Sequence, residues 1–303
     1  MNDVHGVSAE FASISCDAPP LPTSAVVRLT IPSRPLPSSD LPVGRLPITQ
    51  NTLLIADAIH RALIRKAGQG RRVECPELTG QNQWGQPLAG AHRHAHVLPV
   101  DLDEDGLLDH VVIHAPMGLG QSARNAIDDL KTLFGPGGTP WLRLTPVSAT
   151  NINRWLCGAS SDVAINHLPL EYRAPHSPSC ELGANDWIGL TPFVPPRYLK
   201  SSGKNSLAGQ VNAELASRSH PPAIVTVLGV HHNPQRRTTH TNRHSDSFVL
   251  NRGRNHTPPP QQTGFLLHLR FERPAMGPIC LGYASHFGMG LFRASSPSSP
   301  TMP

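Results

Sequence analysis

At 303 residues the chain is long enough for about two domains, and 38% hydrophobic residues can supply a core of ordinary size. Charged residues make up only 16%, and 32 prolines with 25 glycines fill about a fifth of the chain, which argues against an all-helical bundle and favours short elements. A net charge of +5 beside 17 histidines favours a polyanionic partner, and no apolar run approaches the ~18 residues of a membrane span.

Residues 1–22 read as a flexible, proline-dotted tail without a secretory h-region. The alternating, β-branched run Ala25–Ile31 predicts a strand. After the breaker run Pro32–Pro47, Leu54, Ala58, Ile59, Ala62 and Leu63 recur at helical spacing and predict a helix over Thr49–Ala67, stopped by Gly68. Strands are expected at His92–Val100 and His110–His114, joined by the Asp-rich turn Asp101–Asp109. Ser122 is placed to cap a helix reaching about Phe134, ahead of the Gly135–Gly138 stop, and Trp141–Thr145 predicts a last strand. The order strand, helix, strand, strand, helix, strand is that of a ferredoxin-like unit. A connector over 149–185 leads to a second set: strand Trp187–Val194, helix Ser206–Ser217, strand Ala223–Val230, strand Gly264–Phe271, and a glycine-interrupted apolar ending, Ile279–Phe292. The expected fold class is thus α+β, with tandem ferredoxin-like βαββαβ domains at 23–148 and 186–293. The second carries a basic, polar insertion over 231–262 and a glycine-rich loop over 282–292, and a disordered tail follows over 294–303.

Five cysteines (Cys16, Cys75, Cys157, Cys180, Cys280) are scattered and never spaced C-x-x-C, which argues against a disulfide framework or a cysteine zinc site and for a reduced, cytoplasmic chain. On a strand, His92, His94 and His96 would share one face about 6.5–7 Å apart. Three readings of them stay open: loop-capping histidines at a solvated strand start, a metal site, or general acid–base catalysis. Asp101, Asp103, Asp105 and Asp109 imitate the start of a calcium loop, but Val112 stands where the twelfth-position acid belongs, so a tight Asp/Gly turn is favoured. His60, near the rim of the first helix's apolar face, is a lesser catalytic candidate and more readily a structural one. Basic residues gather from Arg218 to His256, with Arg197, Lys200 and Lys204 upstream, as expected for phosphate contact. The glycines of Gly282–Phe292 allow a backbone that approaches a phosphate.

Leu78-Thr-Gly, the run from Gly90 through His92, His94 and His96 to Gly106, Asp109-His110, and His114 to Leu119 together resemble a CRISPR-associated family, as do Thr191–Arg197 and Gly282–Phe292. The family is the type I-G (formerly I-U) guide-RNA processing protein of the RAMP superfamily, and the resemblance spans roughly Pro47 to Phe292. It implies a metal-independent endoribonuclease that cuts the repeat of precursor CRISPR RNA, without cofactor or metal. It also implies a glycine-rich loop that binds RNA, with Gly282, Ser285, His286, Gly288 and Gly290 as its contacts. Guide RNA would be the partner, with other effector-complex subunits beside it, and no membrane. Too little sequence precedes Ala25 for the amino-terminal module of longer members, which sets a fused effector role aside. The resemblance does not assign the catalytic roles. From the residues themselves, His92 or His94 is expected as base or acid with Arg93 stabilising charge, and His96 and His60 as lesser members. A non-cleaving RNA-binding subunit and a metal-dependent hydrolase remain as alternatives.

Overall fold

The computed structural model describes residues 21–32, 45–68, 74–89, 92–135, 138–148, 183–232, 247–252 and 257–295. The expected tails (except residues 21–22 and 294–295), most of the connector and the middle of the insertion lie outside the described residues.

Strand β1 (Ser24–Thr30) leads through a 3₁₀ turn into α1 (Thr52–Gly68), whose start is fixed by the Thr52 hydroxyl donating to the Thr49 carbonyl at 2.7 Å. The buried stripe of α1 is Leu53, Ile55, Ala56, Ile59, Ala62 and Leu63, at i, i+3 and i+4 spacings, and Leu54, expected on it, is exposed. A single turn, α2 (Pro76–Thr79), precedes β2 (His96–Val100) and β3 (His110–His114). The Asp-rich segment between them is a turn as expected: Asp101 and Asp105 carboxylates accept from the Gly106 and Leu107 amides, each at 2.8 Å. The next helix, α3, is shorter than expected at Gln121–Asp129, and Gly120 rather than Ser122 occupies its N-cap. The residues assigned to its last turn instead form β4 (Thr132–Phe134), which pairs antiparallel with β5 (Pro140–Val147). With Leu130 and Leu133 both buried, the chain reaches the core as well by turning into a strand as by continuing the helix.

The first sheet runs β2-β3-β1-β5-β4 with every pair antiparallel, the ferredoxin order plus one edge strand. The second contains β6 (Ala184–Gly189), β7 (Ala223–His232), β8 (Thr263–Ala275), β9 (Ile279–Cys280) and β10 (Leu291–Ala294) in the order β7-β8-β6-β10-β9, which repeats the pattern. Helix α4 (Leu207–Ser217) crosses between β6 and β7, and its cap, Ser206, accepts from the Gly209 amide at 3.1 Å. Where the first unit has α3, the second has the glycine-rich loop with a 3₁₀ turn at Ser285–Phe287.

That loop lies against the first unit. Phe287 and Met289 enter the core under α1, while Cys280 and Leu291 meet Val26, Leu98, Val100 and Val112 on the other face of the first sheet. β2 is therefore buried along its whole length instead of alternating. The insertion also differs from expectation. Its first two residues belong to β7, and Phe248 and Leu250 are buried in the first unit's core. Arg252 clamps the segment, bonding the buried Asp57 carboxylate at 2.6 and 2.9 Å and lying 3.7 Å over the Phe287 ring. Apolar side chains spaced within a polar run were enough to recruit it. Among the described residues no helix is long and apolar enough to cross a membrane. The two described cysteines, Cys75 and Cys280, are free and buried, and burial pushes both thiols up to about 12.

Candidate active site

The strand expected from His92 begins only at His96, so the three histidines do not share a strand face. His92 has φ of 70°, a left-handed conformation that a non-glycine residue adopts only when its surroundings hold it there. The segment is pinned by the Met117 amide donating to the Arg93 carbonyl (3.0 Å) and the Ala95 amide donating to the Glu77 carbonyl (2.6 Å).

A fourth histidine from the other unit brings the three together. The His286 ring lies between His94 and His96, with centroids 3.9 Å away on each side and interplanar angles of 5° and 26°. On the outer side of the stack, Gly80 faces the His94 ring so closely that a Cβ would meet three ring atoms at 3.0 Å. His92 sits beside His286, Nδ1 to Nε2 at 3.1 Å.

The hydrogen bonds fix the tautomer of His286 and leave two groups contending for that of His92. His286 Nδ1 is 3.2 Å from the Ala95 carbonyl, which can only accept, so this nitrogen carries the proton and Nε2 of the neutral ring is an acceptor. When His92 Nδ1–H donates to it, His92 Nε2 is left as a lone pair, and that nitrogen has no protein partner among the described residues. Arg218 Nη2 lies 3.2 Å from His92 Nδ1 and 3.2 Å from the Ser285 hydroxyl. The guanidinium only donates, so it bonds the Ser285 hydroxyl when Nδ1 donates to His286, and favours the opposite His92 tautomer when it bonds Nδ1. Arg218 is in turn held by Glu214 at 2.9 Å, and the second role of that carboxylate is to accept from the Gly282 amide at 3.0 Å. Gln210, Glu214 and Arg218 form one ladder along α4, and the fully buried Gln210 side chain grips the backbone of Arg197 at its far end.

Burial keeps these imidazoles neutral. It lowers His92, with the Arg218 charge adding to the effect and Glu214 opposing it. His94 falls to about 4 through burial and the neighbouring His60 and His92, and His96 to about 3, chiefly through burial. His286 is lowered strongly by burial and by the rings on either side. At neutral pH the cluster offers lone pairs rather than charge, beside one buried guanidinium.

The other expected residues divide. His60 donates from Nε2 to the Leu78 carbonyl at 3.0 Å and stands edge-on to Phe287, a structural placement behind the stack. His96, 5% exposed, faces the His92 and Ser285 carbonyls at 3.3 Å each and is out of reach of a substrate. Arg93, Arg197, Lys200 and Lys204 are exposed. Within the glycine-rich loop the expected backbone contacts are already occupied. The Gly282 amide bonds Glu214, and the Gly290 amide donates to the Pro192 carbonyl at 2.9 Å. Gly288 and Gly290 do take positive φ, but a Cβ would meet Thr52 at 2.8 Å in the first case and the Leu281 carbonyl in the second. These glycines admit protein, and Ser285 and His286 point into the histidine cluster rather than to solvent.

The imidazole planes stack, so their in-plane lone pairs do not converge. Among the described residues the only trio with metal-ligand spacing is Asp101, Asp103 and Asp105, without a histidine. Sequence reasoning placed Arg218 only at the edge of the basic run and passed over Glu214, although their i, i+4 spacing at the end of the helix expected over Ser206–Ser217 was a usable signal.

Fold and site together define a tandem ferredoxin-like protein with a histidine cluster at the seam of its two sheets. No family model and no curated protein matches the chain. Among solved structures it is similar to Csf5, a CRISPR-Cas type IV Cas6 crRNA endonuclease, at 12% identity and a TM-score of 0.35, the match covering 90% of this chain and 99% of that one. It is also similar to a Cas6 product complex, at 17% identity and a TM-score of 0.40, with coverage of 90% and 99%.

Proposed function

We propose that this protein is an endoribonuclease that binds the repeat of precursor CRISPR RNA and cuts it by attack of the RNA's own 2′-OH, without a metal. The observation that carries the reading is a neutral His92 set between His286 and the largely covered Arg218, with no protein partner at its Nε2 among the described residues; His286 as acceptor selects the tautomer that leaves Nε2 as the base. The substrate class rests on the motif resemblance of Gly90–Gly106 and Gly282–Phe292. The cut would fall at the seam between the units proposed at 23–148 and 186–293.

His92 Nε2 takes the 2′-OH proton, and the 2′ oxygen attacks the adjacent phosphorus. Arg218, with the exposed Arg93, offsets the charge that grows on the phosphorane oxygens. The bond to the 5′ oxygen breaks, and His94 donates a proton to that oxygen. In the free protein His94 is unprotonated at neutral pH. A bound phosphodiester places an anion beside the ring and raises its affinity for a proton, which loads the acid only when substrate is present. The products are a 2′,3′-cyclic phosphate and a 5′-hydroxyl. Arg197, Lys200 and Lys204 would hold the RNA backbone away from the cut.

The test is incubation with labelled repeat RNA from the protein's own locus, with and without EDTA. A single cut with a cyclic-phosphate end in both conditions supports the reading. Loss of cleavage in EDTA would replace it with a metal-dependent one, and binding without cleavage at any pH would leave an RNA-binding subunit.

A further inference from the structure

Between Gly80 and Leu88 the chain forms a tight loop that neither the fold nor the proposed chemistry uses. It is closed at its base by a bridge between Gln81 and Pro87 and by the Leu88 amide donating to the Gly80 carbonyl at 2.9 Å. Inside it, Asn82 Oδ1 accepts from the Trp84 and Gln86 amides at 3.0 Å each, and the Asn82 amide donates to the Gln86 carbonyl at 2.8 Å. The turn is completed by Gly85, at φ of 80°. The bonds that fix the loop are made by the backbone and by the side chains of Thr79, Asn82 and Gln86. The Trp84 indole makes none of them, and the residue is 69% exposed on this loop. Presenting so large an apolar ring to water is unfavourable unless a partner covers it.

The root of the loop is Gly80, which lies against the His94 ring. Four residues at ~3.3–3.6 Å each keep Trp84 within ~14 Å of Gly80, a reach of a few nucleotides from the histidine cluster. A solvent-exposed indole carried on a hydrogen-bonded loop beside the proposed RNA site is suited to stacking on a base, because every base has a π-face. We propose that Trp84 is a stacking platform for one nucleobase of single-stranded RNA entering the histidine site. The inference rests on the RNA-cleaving reading for its substrate class, but it concerns binding and needs no cleavage.

The experiment uses the full chain and a fluorescein-labelled, fully 2′-O-methylated single strand of the repeat from the protein's own locus, which has no 2′-OH to attack. Anisotropy titrations compare wild type with Trp84→Ala, Trp84→Phe and Phe134→Ala. Phe134 is 59% exposed on β4, at the opposite edge of the first sheet, and serves as the control aromatic. Stacking predicts that Trp84→Ala weakens binding about 5- to 150-fold, while Trp84→Phe retains most of it and Phe134→Ala changes nothing. Melting temperatures should stay at the wild-type value in all three, since the indole supports no part of the loop. Wild-type affinity in Trp84→Ala overturns the proposal and leaves the catalytic reading standing. Equal losses in both Trp84 variants with lowered melting temperatures would assign the indole to stability and also overturn it. Failure of wild type to bind the probe overturns the proposal together with the nucleic-acid reading beneath it.

Discussion

Replacing His286 by phenylalanine keeps a flat ring between His94 and His96 while deleting both ring nitrogens. The Ala95 carbonyl loses its donor, and His92 Nδ1 loses its acceptor. The group then left facing Nδ1 is Arg218 Nη2 at 3.2 Å, which can only donate. It draws the lone pair to Nδ1 and so moves the proton to Nε2, where it blocks the base. A hydrogen bond from a charged donor is worth about 1.5–3 kcal/mol, which cuts the active tautomer about 10- to 150-fold. Single-turnover cleavage of repeat RNA under saturating enzyme should therefore slow by that factor in His286→Phe, with RNA affinity little changed. His92→Ala should lose about 10²–10⁴-fold, and the double variant should be no slower than His92→Ala, because both act through one nitrogen. Near-UV circular dichroism at the assay temperature checks that the variants are folded. Wild-type cleavage by His286→Phe, or losses that multiply in the double variant, would refute the relay.

Because burial and Arg218 lower His92, the base is already deprotonated at neutral pH, and the acidic limb of kcat/KM should lie below pH 6.5. Stability should have the same sign: His94, His96, His114 and His286 stay neutral in the fold and bind protons more readily unfolded. Stability is thus retained above the unfolded value near 6.5 and lost as pH falls towards 4, and calorimetry there should show uptake of about two or more protons on unfolding. Leu250→Ala should destabilise by about 2–5 kcal/mol in urea melts, since the side chain is fully buried in the first unit's core, whereas a solvated insertion would give no change. Gly288→Val should lower the melting temperature, because valine must take φ of 77° and press on Thr52 and Pro99, at least ~1–2 kcal/mol for the backbone alone. Its surviving folded fraction should bind RNA normally, and weakened binding by a fully stable variant would return the loop to the RNA.

Local patterns were enough to read most of the elements. The periodicity of Thr52–Gly68, the β-branched run in β1 and the Ser206 cap reflect forces that act within a turn or between near neighbours. Element order then led to the doubled ferredoxin arrangement, because short right-handed connections leave few ways to pack such a series. The first three histidines were visible as a cluster, but their alternation suggested a strand that begins only at His96. What displaced it was a contact 194 residues away, His92 with His286, together with a left-handed backbone at His92. The glycine-rich loop shows the same division. Its sequence carried the positive φ angles, while the packing of Thr52, Pro99 and Leu281 decided that protein fills the space they open. Residues 247–252 read as polar insertion because Phe248, Leu250 and Arg252 are too few to show a period. Their places were decided by the apolar core beneath α1 and by the charge of buried Asp57. Tautomers and lowered proton affinities depend on burial and on partners remote in the chain, and those quantities exist only once the two sheets have met.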